Sequence, residues 1–200
     1  MKSMNQLVRD AYNKCAKDYS LTRDLFKNKK YLEMLSEYLK PNSEILDIGC
    51  GAGKPIDEYL VSKEHKVTGI DISEKQIELA KINVPKVTYL VGDMSEMNFP
   101  NNSFNAVVSF YAIFHIPRED HLDLFKKILK MLKPGGLFLT TLGFDDWEGS
   151  EEFHGVTMHW SQYGKDKNLE LIKQAGFEII KTEVDESGGE HHFVVLAKKM

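Results

Sequence analysis

Cysteine is scarce in this chain. Cys15 and Cys50 are the only two in 200 residues, too few and too far apart for a disulfide framework or a cysteine-based metal site. Both read as free structural thiols of a reducing compartment, and no metal is expected. Long apolar runs are missing as well. No stretch approaches the ~20 residues of a membrane span, and Met1 to Asp10 is polar and mixed in charge where a signal peptide would be apolar. The cytoplasm is the expected location. A large excess of one charge is absent too: the net charge is −4 with both signs interspersed, which argues against a track for nucleic acid or an anionic membrane. There is no internal repeat, low-complexity segment or linker. With 42% hydrophobic residues the chain can build one core, while two full domains would be cramped. A single domain, monomeric or homodimeric, with small-molecule partners is expected.

What is present centres on Ile45 to Gly53, Ile-Leu-Asp-Ile-Gly-Cys-Gly-Ala-Gly. A short apolar run compatible with a buried strand stops at Asp47 and enters a loop with glycine at every second position, ahead of a helix-like segment. Glycine permits positive φ and leaves no Cβ between backbone and ligand. The following helix start predicts N–H groups offered to an anionic moiety.

Around this loop the chain alternates. Ser3 to about Leu39 reads as helical, with Tyr31, Leu32, Leu35, Tyr38 and Leu39 on one face, and Tyr12 and Tyr19 seven apart on another. Pro55 suits a first helical turn, in a helix to about Ser62. A strand over Lys66–Ile72 ends at Asp71, and Ser73 with Gln76 makes a capping box for a helix through Lys81. Val87–Val91 is a strand closed by Gly92-Asp93, Phe104–Phe110 is another, and Arg118–Leu132 is a helix stopped by Lys133-Pro134-Gly135-Gly136. Leu137–Leu142 makes a fifth strand. Residues 143–166 read as a long aromatic loop, followed by a helix over Asn168–Ala175 and two strands, Phe177–Val184 and His191–Ala197. The polar turn Asp185 to Glu190 can join only antiparallel neighbours, so the last strand runs against the others. Alternating strands and helices predict a parallel sheet covered on both faces, with ligands at the carboxyl ends of its strands. Asp47, Asp71 and Asp93 each end a strand.

In order, the chain carries Leu46-Asp47-Ile48-Gly49-Cys50-Gly51-Ala52-Gly53, Gly69-Ile70-Asp71-Ile72-Ser73, Gly92-Asp93-Met94, the strand through Val107-Val108-Ser109, and Leu132-Lys133-Pro134-Gly135-Gly136. These motifs resemble those of the class I S-adenosylmethionine-dependent methyltransferases, in the small single-domain branch of type 11/25, from about Asn42 to the C-terminus. The resemblance implies a three-layer, doubly wound α/β fold: a Rossmann-like, mostly parallel sheet of seven strands with an antiparallel last strand, plus N-terminal helices. It implies S-adenosyl-L-methionine as cofactor and S-adenosyl-L-homocysteine as product. Asp47, Gly49, Cys50 and Gly51 would approach the methionine part, Asp71 with Ile72 the ribose, Asp93 and Met94 the adenine, and Phe110 would wall the cofactor. Residues 1–40 would be a helical lid, 42–142 the cofactor core, 143–166 an acceptor loop and 167–200 a C-terminal helix and hairpin.

Methyl transfer from a sulfonium needs little acid–base machinery, because the leaving group departs neutral; positioning and exclusion of water supply much of the rate. Where the acceptor carries a proton, His115 after the fourth strand is the candidate base. Tyr12, Tyr19, Tyr111, Trp160 and His191 are expected to bound the acceptor pocket, aromatic rings suiting an apolar or cationic acceptor. Two other functions compete: a regulatory protein that binds the cofactor without turnover, and a NAD-dependent oxidoreductase. The loop spacing opposes the second, since Lys54 stands where the third glycine of the dinucleotide fingerprint belongs. After the fourth strand, Ser109-Phe110-Tyr111-Ala112 lacks the double-proline turn that resembles amino-methylating DNA enzymes, and nucleic acid is not expected.

Overall fold

The computed structural model describes residues 2–22, 28–187 and 191–200. Within them a seven-stranded sheet forms from β1 (Glu44–Ile48), β2 (Lys66–Asp71), β3 (Thr88–Val91), β4 (Phe104–Ser109), β5 (Leu132–Gly143), β8 (Phe177–Asp185) and β9 (His192–Lys199), in the order β3-β2-β1-β4-β5-β9-β8. The pairs from β3 across to β5 are parallel, and β9 runs antiparallel to both β5 and β8. The expected doubly wound α/β sheet is therefore the one observed. Part of the predicted Asp185–Glu190 turn, residues 188–190, lies outside the described residues, as do residues 23–27 of the predicted N-terminal helical stretch.

The strands are two-faced because their side chains alternate. Leu46, Val107, Phe138, Phe193 and Val195 join one core, while Ile45, Ala106, Val108, Leu139 and Val194 join the other. The first face is covered by α5 (His121–Met131) and α6 (Lys165–Ala175). The second is covered by α2 (Lys29–Ser36), α3 (Ile56–Ser62) and α4 (Glu74–Asn83). Each helix buries a stripe of period 3.6; in α5 it is Leu124, Phe125, Ile128 and Met131. Burying a side chain such as Phe125 or Phe138, both sealed from solvent, contributes about 2 kcal/mol. Gly176 closes α6 at φ +107, the left-handed position that glycine adopts without strain.

A third, smaller core lies off the sheet. There α1 (Met4–Thr22) packs Val8 and Ala11 on Met158 of a hairpin made by β6 (Trp147–Phe153) and β7 (Val156–Gln162). This corrects the expectation of a loop over residues 143–166. The two strands pair in register around His154 (φ +49) and Gly155 (φ +76), a two-residue turn with both φ positive, which matches the twist of a hairpin. The pattern hid it because β6, Trp-Glu-Gly-Ser-Glu-Glu-Phe, has no buried residue.

Candidate functional site

β1, β2 and β4 end at one edge of the sheet, and above that edge lies a cleft. Gly49, Gly51, Asp71, Asp93, Met94 and Phe110 line its strand-tip wall. Asp71 is held on both sides: one carboxylate oxygen accepts the Gly51 N–H at 2.9 Å and the other the Ser73 N–H at 2.8 Å. Asp93 accepts the backbone N–H and hydroxyl of Ser95 on one oxygen, at 2.8 and 2.7 Å, and the Asn5 amide on the other at 2.7 Å. A carboxylate held in this way presents only acceptor atoms to the cleft.

The glycine loop works differently from the expectation. Gly49 and Cys50 both donate their N–H to the Ile70 carbonyl, at 2.8 and 3.1 Å, and Gly53 donates to the Cys50 carbonyl. With the Gly51 N–H on Asp71, these four donors are spent inside the protein, so the loop is no cradle of free N–H groups. Its glycines serve close packing. A Cβ on Gly49 would stand 2.2 Å from the Ala112 Cβ, and one on Gly53 2.4 Å from the Tyr89 hydroxyl. That hydroxyl donates to buried Asp57 at 2.9 Å, at the foot of α3. Two residues expected at the cofactor lie beneath the loop: Asp47 is 1% exposed and Cys50 2%, and neither lines the cleft. Burial pushes the Cys50 thiol well above its ordinary range, with Asp57, Asp71 and Asp47 adding to the effect, which makes it an inert packing group.

The opposite wall is α1. Asn5, Tyr12 and Tyr19 recur every seven residues and line the cleft together with Val8. The Tyr12 hydroxyl lies 2.9 Å from His115 Nε2, and His115 Nδ1 lies 2.8 Å from the His159 carbonyl oxygen on β7. A carbonyl only accepts, so Nδ1 carries the proton and donates it there. Nε2 is then the acceptor, and Tyr12 donates. Burial drives the His115 pKa down to about 4, opposed by the His159 bond; the ring is neutral at pH 7. Tyr111 also lines the cleft, at φ +57, an uncommon conformation for a bulky residue. Its hydroxyl donates toward Asn28 Oδ1 at 3.0 Å and Asp185 Oδ2 at 3.3 Å.

Of the other expected pocket residues, Ile72 lines the cleft and Trp160 stands one layer behind, its ring 5.6 Å from His115. His191 is turned away, against Phe144 and 3.9 Å from Glu186. Because neighbours on a strand face opposite ways, it is His192 that lies inward, 4.7 Å edge-on to Tyr111. No cluster of His, Cys, Asp or Glu able to hold a metal occurs among the described residues. The sequence reading missed Asn5, Val8, Gln76 and Ile116, all in the cleft wall. Only Asn5 carried a legible signal, as the first member of the seven-residue spacing of Tyr12 and Tyr19.

The residues fit a nucleoside-bearing cofactor on two observations: a pinned carboxylate at the tip of β2, and a second carboxylate with an adjoining Met94 after β3, both in one cleft. The chain belongs to the class I S-adenosylmethionine-dependent methyltransferases, and S-adenosylmethionine is the cofactor that this family and site define. A family model described as "Methyltransferase domain" matches residues 45–136. Among relatives, the chain is 30% identical to a sterol 24-C-methyltransferase of Gibberella zeae over 165 residues, 72% of this chain and 42% of that protein. It is 32% identical to the cycloartenol-C-24-methyltransferase of Arabidopsis thaliana over 174 residues, 79% of this chain and 51% of that one. The chain thus spans about half the length of these relatives. A SAM-dependent methyltransferase of Methanosarcina mazei superposes with a TM-score of 0.73 at 26% identity, covering 84% of this chain and 97% of that one. The magnesium protoporphyrin IX methyltransferase of Synechocystis with bound SAM, at 15% identity, shares the fold with a TM-score of 0.78 over 100% of this chain and 99% of its own.

Proposed function

We propose that this chain methylates a small-molecule acceptor held between the strand tips and α1. One observation carries the reading: Asp71 and Asp93 line the same cleft as the hydrogen-bonded pair Tyr12 and His115. When bound, S-adenosylmethionine supplies an electrophilic methyl group on a sulfonium. Asp71 would accept the ribose hydroxyls and Asp93 the adenine amino group, with Met94 against the purine face. Gly49 and Gly51 would flank the methionine part. Phe110 and Ile72 exclude water from the same wall.

On the acceptor side Tyr12 lines the cleft, where an O–H or N–H of the acceptor can approach its oxygen. When such an acceptor gives up its proton, the Tyr12 oxygen takes it while the Tyr12 proton passes to His115 Nε2. Positive charge then ends on the imidazole. A His115 pKa of about 4 makes it a weak base, so most of the rate must come from holding the acceptor in line, where orientation can supply about 7 kcal/mol or more. His115 therefore acts through Tyr12, with its orientation fixed by the His159 carbonyl.

Among the described residues, no Lys or Arg lines the cleft. Tyr12, Tyr19 and Tyr111 in the cleft wall suit apolar or cationic groups. The sterol methyltransferases among the relatives make a sterol one acceptor to try. An acceptor panel of sterols, neutral phenols and amines, set beside carboxylates, scored by S-adenosylhomocysteine release, tests the reading: turnover with neutral or cationic members is expected. Binding of the cofactor without turnover on any member would favour the regulatory alternative.

A further inference from the structure

We propose that Gln76 is a ligand of the donor nucleoside, its side-chain amide bonding a ribose hydroxyl beside Asp71; this rests on the methyl-donor reading of the cleft. Gln76 lies in the first turn of α4, five residues after Asp71, and lines the cleft. It is 1% exposed, and neither its amide nitrogen nor its amide oxygen has a hydrogen-bond partner among the described residues. A buried amide orphaned at both atoms is rare in a native protein and calls for a missing partner.

The local sequence explains how it lost the obvious one. Ser73 caps α4 by accepting the Gln76 backbone N–H at 3.1 Å. In a complete capping box the Gln76 side chain would reach back to the Ser73 N–H. That N–H is already donated to Asp71 at 2.8 Å. Pinning the carboxylate thus takes the donor that the capping glutamine would use, and leaves its amide to the cleft. Asp71 can only accept hydrogen bonds, whereas an amide both donates and accepts. A hydroxyl that donates to Asp71 keeps its lone pairs for the Gln76 Nε2–H, and the two side chains together match a vicinal diol.

Calorimetric titration with S-adenosylhomocysteine, comparing the intact chain with Gln76→Met, tests this. Methionine keeps the volume and removes both polar atoms; Gln76→Leu serves if the first variant does not fold. The dissociation constant is expected to rise about tenfold, while the melting temperature of the ligand-free protein stays level or rises, because an unsatisfied amide has been removed. A rise below fivefold overturns the assignment, and so does a fall in the ligand-free melting temperature, which would show that the amide already has a structural partner. Adenosine should compete less well with S-adenosylhomocysteine in the variant, and adenine as well as before; an equal loss for adenine would place the contact on the base and overturn the ribose assignment. Failure of the intact chain to bind S-adenosylhomocysteine would count against the methyl-donor reading itself, a separate result.

Discussion

The two walls of the cleft are built by different means. The donor wall is backbone chemistry at strand tips: Asp71 is fixed by the N–H groups of Gly51 and Ser73, and Gly49 folds onto the Ile70 carbonyl. The cover is side-chain chemistry between distant segments. Tyr12 on α1 meets His115, 103 residues away, and His115 leans on the carbonyl of His159 on the hairpin. The donor wall needs the sheet to be right; the cover also needs α1 and the hairpin docked on each other through their own small core. A fold organised this way can keep one donor and change acceptors by altering the cover.

Substitutions can separate the walls, and the largest effect should come from the loop. Gly49→Ala adds a Cβ 2.2 Å from that of Ala112 at φ +75, and should cost about 3 kcal/mol or more from overpacking and left-handed strain together. Thermal melting checks it; a melting temperature within a degree or two of the parent would break the claim that the loop is packed against Ala112, in the segment after β4.

Tyr12→Phe should spare the donor wall and disable the cover. On the best acceptor from the panel, turnover should drop about 100-fold, with S-adenosylhomocysteine affinity within about threefold. A matching loss of affinity would merge the two walls into one. Asp71→Asn is the mirror experiment. An amide cannot accept on both sides, so its NH2 must face the Gly51 or the Ser73 N–H. The dissociation constant for S-adenosylhomocysteine should rise about thirtyfold, the size expected for a hydrogen bond to a charged group. Calorimetry reads it, and an unchanged constant would move the ribose elsewhere.

The smallest effect is on pH. Burial lowers the pKa of both His115 and His121 from 6.5 to about 4. Between those values the unfolded chain holds more protons than the folded one. Stability is therefore full above pH 6.5, falls as pH drops through the window and levels below pH 4. His121, the first residue of α5, is buried and does not line the cleft. His121→Leu should reduce the slope by about half and leave S-adenosylhomocysteine affinity alone, as chemical denaturation at stepped pH would show.

The same contrast explains what the sequence disclosed. Asp71, Asp93, Met94 and the glycines were legible because each sits within a few residues of a strand end, and strand ends follow from apolar runs and punctuation. The sheet and its antiparallel β9 were legible for the same reason. The hairpin over residues 147–162 was not, since His154-Gly155 is an unusual pair for its turn and no residue of β6 is fully buried. Which of His191 and His192 faces inward depends on strand register, and composition does not contain it. Gln76 was legible as a helix-capping residue and misleading as one, because the donor it would have capped was taken by Asp71.

The central claim is that the strand-tip wall is a site for S-adenosylmethionine and not for a dinucleotide. Titrating the intact chain calorimetrically with S-adenosylhomocysteine and, in parallel, with NAD tests it most directly. Saturable binding of one S-adenosylhomocysteine per chain and no heat from NAD is the expected result; saturation by NAD with no response to S-adenosylhomocysteine would contradict it.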